Sequence, residues 1–148
     1  MENKKVALIT GGTKGIGLAI ASELGAQGYS DLILVYRSDK ESANFAKTQL
    51  KQSGASVKTI KADISLKSGW KIIGSYLMKN NIELDLLVNN AGIDDGIMIE
   101  ELDMDSAKNI INTNLLGTIA TTKVCIPFLK KNKGQIINIS KNRFKKNV

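Results

Sequence analysis

The residues best suited to chemistry begin at Thr10 and run Thr-Gly-Gly-Thr-Lys-Gly-Ile-Gly to Gly17. A short apolar stretch, residues 6–9, precedes them. Ile16, Leu18, Ala19 and Ile20 then open an apolar helical pattern. Glycines in such a place let the backbone turn sharply and approach a ligand closely, and amides at the start of the helix face an anion. The spacing is Thr-Gly-x-x-x-Gly-x-Gly, not the commoner Gly-x-Gly-x-x-Gly fingerprint. A strand before it and a helix after it point to phosphate or dinucleotide binding. A plain tight turn is the alternative. Further polar groups follow at intervals: Tyr36-Arg37-Ser38, Asp63-Ile64, Asn89-Asn90-Ala91-Gly92, Asn112-Thr113-Asn114 and Ser140.

These groups need elements to position them. The apolar pattern predicts strands over residues 6–9, 32–35, 56–62, 84–88 and 135–139. Helices are expected over about 15–27, 40–53 and 65–79. Gly28 and Gly54 stop the first two. Ala43, Phe45, Ala46 and Leu50 form the expected apolar face of the second helix, and Trp70, Ile73 and Leu77 that of the third. Trp70 reads as a packing residue, not a ligand platform. An acidic loop (Asp94, Asp95, Glu100, Glu101, Asp103, Asp105) leads into a long helical stretch from residue 104 to about 132. That stretch reads as two pieces meeting near residues 114–117, with Pro127 placed to kink its last turns. Alternating strands and helices mean right-handed βαβ units and a parallel sheet. The expected fold is α/β, a Rossmann-like doubly wound sheet of about five strands in the order 3-2-1-4-5. Ligands bind beyond the C-terminal strand ends of such sheets, near the switch point. Every polar group named above follows a predicted strand end or lies in the helical stretch after strand four.

Composition narrows the classes. The chain has 148 residues, 43% of them hydrophobic, which suits one domain with a sizeable core. Residues 1–140 are expected to form it, with 141–148 as a disordered basic tail. No apolar run is long enough for a membrane span, and the first residues carry no signal-peptide pattern. A single cysteine, Cys125, excludes an internal disulfide and fits a cytoplasmic protein. With no histidine in the chain, Cys125 reads as a small buried side chain, and no transition-metal site is expected. The net charge is +7. Seven of the 21 basic residues lie after residue 129 with no acidic one among them, so the remaining fourteen match the 14 acidic residues. The basic tail has Phe144 as its one aromatic residue and the body is neutral, so nucleic acid is not an expected partner.

In order and approximate spacing, the pieces Thr10 to Gly17, Asp63, Asn89 to Gly92, Asn112 to Asn114 and Ile136-Ile137-Asn138-Ile139-Ser140 resemble the short-chain dehydrogenase/reductase family. The resemblance covers residues 3–140 and is most similar to the 3-oxoacyl-acyl-carrier-protein-reductase-like branch. It implies that the turn holding Gly11, Thr13, Lys14, Gly15, Ile16 and Gly17 takes the cofactor pyrophosphate. Asp63 is implied to contact adenine through its side chain and Ile64 through its backbone. Asn90 lies beside the adenosine ribose in the family, and the turn through Ala91 and Gly92 also stabilises the central sheet. Asn114 matches the asparagine that bends its helix and holds a water of the proton relay. Ser140 matches the serine that hydrogen-bonds a substrate carbonyl or hydroxyl. An NAD site usually has a carboxylate at the end of strand two. Here Arg37 stands there with Lys14 nearby, which favours NADP(H) over NAD(H), because a guanidinium suits a 2′-phosphate. Asp39 is close enough to complicate that preference.

The family's chemistry also uses a tyrosine and, four residues on, a lysine, about a dozen residues after the serine. Eight residues follow Ser140, and none is a tyrosine. Tyr36 and Lys40 have the right spacing but stand at the adenine end. The expectation is therefore a C-terminally shortened chain (truncated, frame-shifted or excised) of an NADP(H)-dependent carbonyl reductase, inactive alone. A non-catalytic dinucleotide- or partner-binding module is the alternative. A homo-oligomer is possible by family habit.

Overall fold

The computed structural model describes residues 4–52, 54–94 and 96–140. Five parallel strands form one sheet: β1 (Lys5–Thr10), β2 (Tyr29–Tyr36), β3 (Ser56–Lys61), β4 (Leu86–Asn89) and β5 (Gln135–Asn138). Their order is β3-β2-β1-β4-β5, the order expected of this doubly wound sheet. The switch point falls between β1 and β4, where Ala7, Leu8 and Ile9 pair with Leu86, Leu87 and Val88.

Successive strand residues point to opposite faces, so each face acquires its own core. On one, Ala7, Ile9, Leu32, Leu34 and Val88 pack with Ala21 of α1 (Gly15–Ala26) and with Ala46 and Leu50 of α2 (Lys40–Lys51). On the other, Leu8, Ile33, Val35 and Leu87 pack with Ile73 and Leu77 of α3 (Lys67–Lys79) and with Cys125 and Leu129 of α5 (Thr118–Lys130). The continuous apolar runs of β1, β2 and β4 follow from this covering of both sheet faces.

The second helix departs from its expected face. Ala43, Ala46 and Leu50 are buried, but Phe45 is 65% exposed. Residues 43, 46 and 50 keep the three-to-four spacing of one helical stripe, and residue 45 lies two steps from 43, off that stripe. Trp70 is half-buried, and its indole N–H donates to the Ile64 carbonyl at 2.6 Å, tying α3 to the end of β3.

The acidic stretch contributes a short turn and a helix cap. Ile99–Glu101 form a 3-10 turn, and Asp103 caps α4 (Met104–Ile111), its carboxylate accepting from the Asp105 and Ser106 amides at 2.9 Å each. Asp95 lies outside the described residues, as does the expected tail at 141–148. Between α4 and α5 the helix widens into a π-turn, Asn112–Gly117, where the sequence places the join of two pieces. Helix α5 runs through Pro127 to Lys130. Among the described residues no helix is long and apolar enough to cross a membrane.

Candidate functional site

The glycine turn links β1 to α1. Gly11 adopts φ +62°, and its amide donates to the Val35 carbonyl at 2.8 Å, which folds the turn back over β2. Gly17 sits where a side chain cannot go, because a Cβ there would collide with the Gly11 carbonyl oxygen and stand 2.5 Å from the Asn90 amide nitrogen. The first turn of α1 therefore lies against the loop that precedes it. The amides of Gly15, Ile16 and Gly17 have no intrahelical acceptor at this end. No acidic residue occupies the first turn of α1 to offset its positive end.

A second loop, after β4, is fastened to the first. The buried Thr10 hydroxyl accepts the amides of Asn90 and Ala91 at 3.0 Å each. The Asn90 side-chain amide donates to the carbonyls of Thr10 and Gly11 at 3.0 and 3.1 Å. Asn90 is thus a clamp on the glycine turn. Asn89 plays a similar part lower down, donating to Thr122 Oγ1 and Asn138 Oδ1 at 2.9 Å each and so joining β4 to α5 and β5. Asn114, within the π-turn, pairs at both ends with the backbone of Ile93: its Oδ1 accepts from the Ile93 amide at 2.8 Å, and its Nδ2 donates to the Ile93 carbonyl at 2.9 Å.

Together these loops wall a cleft of about 350 Å³ beyond the C-terminal ends of β1, β2, β3 and β4. Of the residues singled out from sequence, Gly11, Thr13, Lys14, Arg37, Asp63, Ile64, Asn90, Ala91 and Gly92 line it. Gly15, Ile16 and Gly17 do not line the cleft, though Gly15 and Ile16 are exposed next to Lys14, which does. Asn114 does not line it either, its side-chain amide being paired with the Ile93 backbone. Ser140 follows β5 and is exposed outside the cleft. Tyr36 ends β2 and Lys40 begins α2, so this Tyr–Lys pair straddles the junction at the rim where Arg37 lies.

Tyr36, Ser38 and Thr113, which belong to the polar groups of the sequence but have no role assigned there, also line the cleft, as do Val35, Asp39, Ala62 and Ile93. Most are immediate chain neighbours of residues that were picked, at the same strand ends. Thr113 differs. It is 8% exposed, and the π-turn carries it to the cleft. The Asn-Thr-Asn triplet was the available signal for it.

Electrostatics around the cleft are mixed. The Asp63 carboxylate accepts from the Ser65 amide and hydroxyl at 2.9 and 2.6 Å. Asp39 caps α2, and the Ser42 amide and hydroxyl hold its carboxyl below the usual range, with a smaller contribution from Lys14. Arg37 is exposed and makes no hydrogen bond or ion pair among the described residues. Burial pushes the Cys125 thiol up to about 12, which keeps the nucleophilic thiolate scarce.

Comparison with known proteins bears on this arrangement. The sequence model described as short chain dehydrogenase matches residues 5–147. The chain is 38% identical over 138 residues to the NADP-dependent 3-hydroxy acid dehydrogenase of Schizosaccharomyces pombe, covering 91% of this chain and 53% of that enzyme. It is 31% identical over 140 residues to glucose 1-dehydrogenase 2 of Bacillus subtilis, covering 92% and 54%. A short chain dehydrogenase from Burkholderia cenocepacia, solved in complex with NADP, superposes with a TM-score of 0.83 at 29% identity, over 92% of this chain and 55% of that one. The chain spans about half the length of the curated relatives it matches.

Proposed function

The chain belongs to the short chain dehydrogenase family, and from that premise we propose that its cleft binds a nicotinamide dinucleotide, NADP(H) in preference to NAD(H). The observation that carries this reading is the glycine turn, which lines the cleft with Gly11, Thr13 and Lys14 and admits no Cβ at Gly17. The residues suit the group. Three first-turn amides without intrahelical acceptors form a positive helix end for the pyrophosphate. Thr13 and Lys14 border the same space, and Asp63 and Ile64 form the wall proposed for adenine. Arg37, unpaired at the rim, is the proposed partner of a 2′-phosphate. Asn90 and Ala91 hold the turn in shape, and Gly92 lines the cleft after them beside the proposed ribose position. A relative named as NADP-dependent and a neighbour solved with NADP support the preference.

Such a cofactor supplies hydride to a carbonyl carbon. The chain's own share in that chemistry is positional. Ser140, at the end of β5, is proposed to hydrogen-bond a carbonyl or hydroxyl of the substrate, a 3-oxoacyl thioester among the candidates. Asn114 is proposed to fix the loop at Ile93 and to bend the helix beneath it. A general acid typically contributes about 10²- to 10⁴-fold to such a step. Residues 1–148 hold no tyrosine–lysine pair beside Ser140, so this polypeptide by itself is proposed to bind the cofactor without turning it over. Residues 1–140 are proposed as the dinucleotide-binding domain.

Calorimetric titration of the 148-residue chain with NADPH and NADH tests the reading. Saturable binding, tighter for NADPH, supports it, and no binding of either overturns it. Rapid NADPH oxidation with a 3-oxoacyl thioester would overturn the claim that the chain does not turn over alone. A partner-binding role is the second reading. Exposed Ile111, Leu115, Leu116 and Ile119, together with the uncovered Ile136 and Ile137 of β5, favour it.

A further inference from the structure

We propose that Asp39 sets cofactor selectivity: its carboxylate holds Lys14 and so weakens the cleft's grip on a ribose 2′-phosphate. This inference rests on the dinucleotide-binding reading above. Lys14 Nζ lies 3.4 Å from Asp39 Oδ2, and both residues line the cleft with Arg37. The carboxylate is not free to swing aside, because Oδ1 accepts the Ser42 amide at 3.0 Å and Oδ2 the Ser42 hydroxyl at 2.7 Å. Those bonds cap α2, so the negative charge is a fixed part of the wall.

The rim therefore presents two cations and one anion. Arg37 is the cation without a partner among the described residues, while the charge of Lys14 is largely matched. A phosphomonoester arriving beside Arg37 finds Lys14 already engaged by Asp39. It must draw Lys14 away from Asp39 to gain a second contact. The pair is exposed to solvent, 71% for Lys14 and 42% for Asp39, so screening keeps the effect modest. With Lys14 Nζ held at Asp39, the cap of α2, the effect falls chiefly on the 2′-phosphate proposed for Arg37.

Asp39→Asn separates the two jobs of this residue. Asparagine caps helices about as well as aspartate, so α2 keeps its start while the charge goes. In titrations of the full chain at low ionic strength, Asp39→Asn is expected to bind NADPH, and 2′,5′-ADP as a phosphate probe, about three- to tenfold tighter. NADH binding should change less than twofold. Asp39→Ser, another good cap, should reproduce the shift and keeps the test open if the asparagine variant folds poorly. In a Lys14→Met background the gain from Asp39→Asn should shrink below twofold, since the interaction removed is the pairwise one. Equal NADPH affinity in wild type and Asp39→Asn, a matching gain for NADH, or a full gain surviving in Lys14→Met would overturn the inference alone. Failure of the wild-type chain to bind either cofactor would overturn the dinucleotide reading and this inference with it.

Discussion

At the scale of single residues, the site is defined more by what cannot be there than by reactive groups. Gly17 is the clearest case. A methyl group at that position would strike the Gly11 carbonyl and crowd the Asn90 amide, both of which are backbone or clamped. Relief requires the first turn of α1 to move off the loop, which disturbs the cradle itself. Gly17→Ala is expected to cost about 1–3 kcal/mol of stability, the usual range for overpacking. It should also weaken NADPH binding at least tenfold, read by denaturant unfolding and calorimetry on the same preparation. The Thr-Gly-x-x-x-Gly-x-Gly spacing was visible in the sequence, but the reason for its last glycine was not. That reason lies in the packing of residue 17 against the Gly11 carbonyl and the Asn90 side chain, which the folded turn and the loop after β4 bring together. Phe45 gives the opposite lesson. Its apolar character suggested burial, yet helical geometry turns it to solvent.

Among the elements, the π-turn at Asn112–Gly117 does the most to shape the cleft. It inserts a wider turn between α4 and α5, brings buried Thr113 to the cleft wall and sets Asn114 opposite Ile93. π-turns within longer helices are uncommon and frequent at functional sites. The two bonds from Asn114 to Ile93 tie this turn to the loop after β4, so each stabilises the other. Asn114→Ala removes both. At roughly 1 kcal/mol net per hydrogen bond, the expected loss is about 1–2 kcal/mol, or a fall in Tm of about 5 °C by calorimetry. Hydrogen exchange should quicken at the amides of residues 91–94 and much less in β1. An unchanged exchange pattern would mean that the loop is held by the Thr10 and Asn90 bonds alone. From sequence, the break near residues 114–117 was legible because polar residues interrupt an apolar helical pattern there. The kind of break was not.

Over the whole molecule, the sheet is lopsided in its covering. Strand β4 is buried throughout, whereas its neighbour β5 is exposed along its length, with Ile136 and Ile137 on opposite faces both open. A strand apolar on both sides is built to be covered on both sides, and an uncovered edge invites pairing with another chain. Together with exposed Ile111, Leu115, Leu116 and Ile119, this predicts concentration-dependent self-association of the 148-residue chain. Ile137→Lys should reduce it, as followed by light scattering over a dilution series, while leaving NADPH binding intact. An equally monodisperse wild type and variant would remove the prediction. The sequence by itself determined the alternation of strands and helices, the parallel sheet, and the strand ends where polar residues gather. These follow from hydrophobic periodicity and from the handedness of crossovers, both properties of short stretches, whereas the order 3-2-1-4-5 is one of those open to a doubly wound sheet and was decided by the pairing of β1 with both β2 and β4. Only the tertiary structure decided that Asn90 clamps the glycine turn, that Thr113 joins the wall and that Asp39 holds Lys14. Each depends on distances between segments far apart in the chain, fixed when two cores close on either side of one sheet.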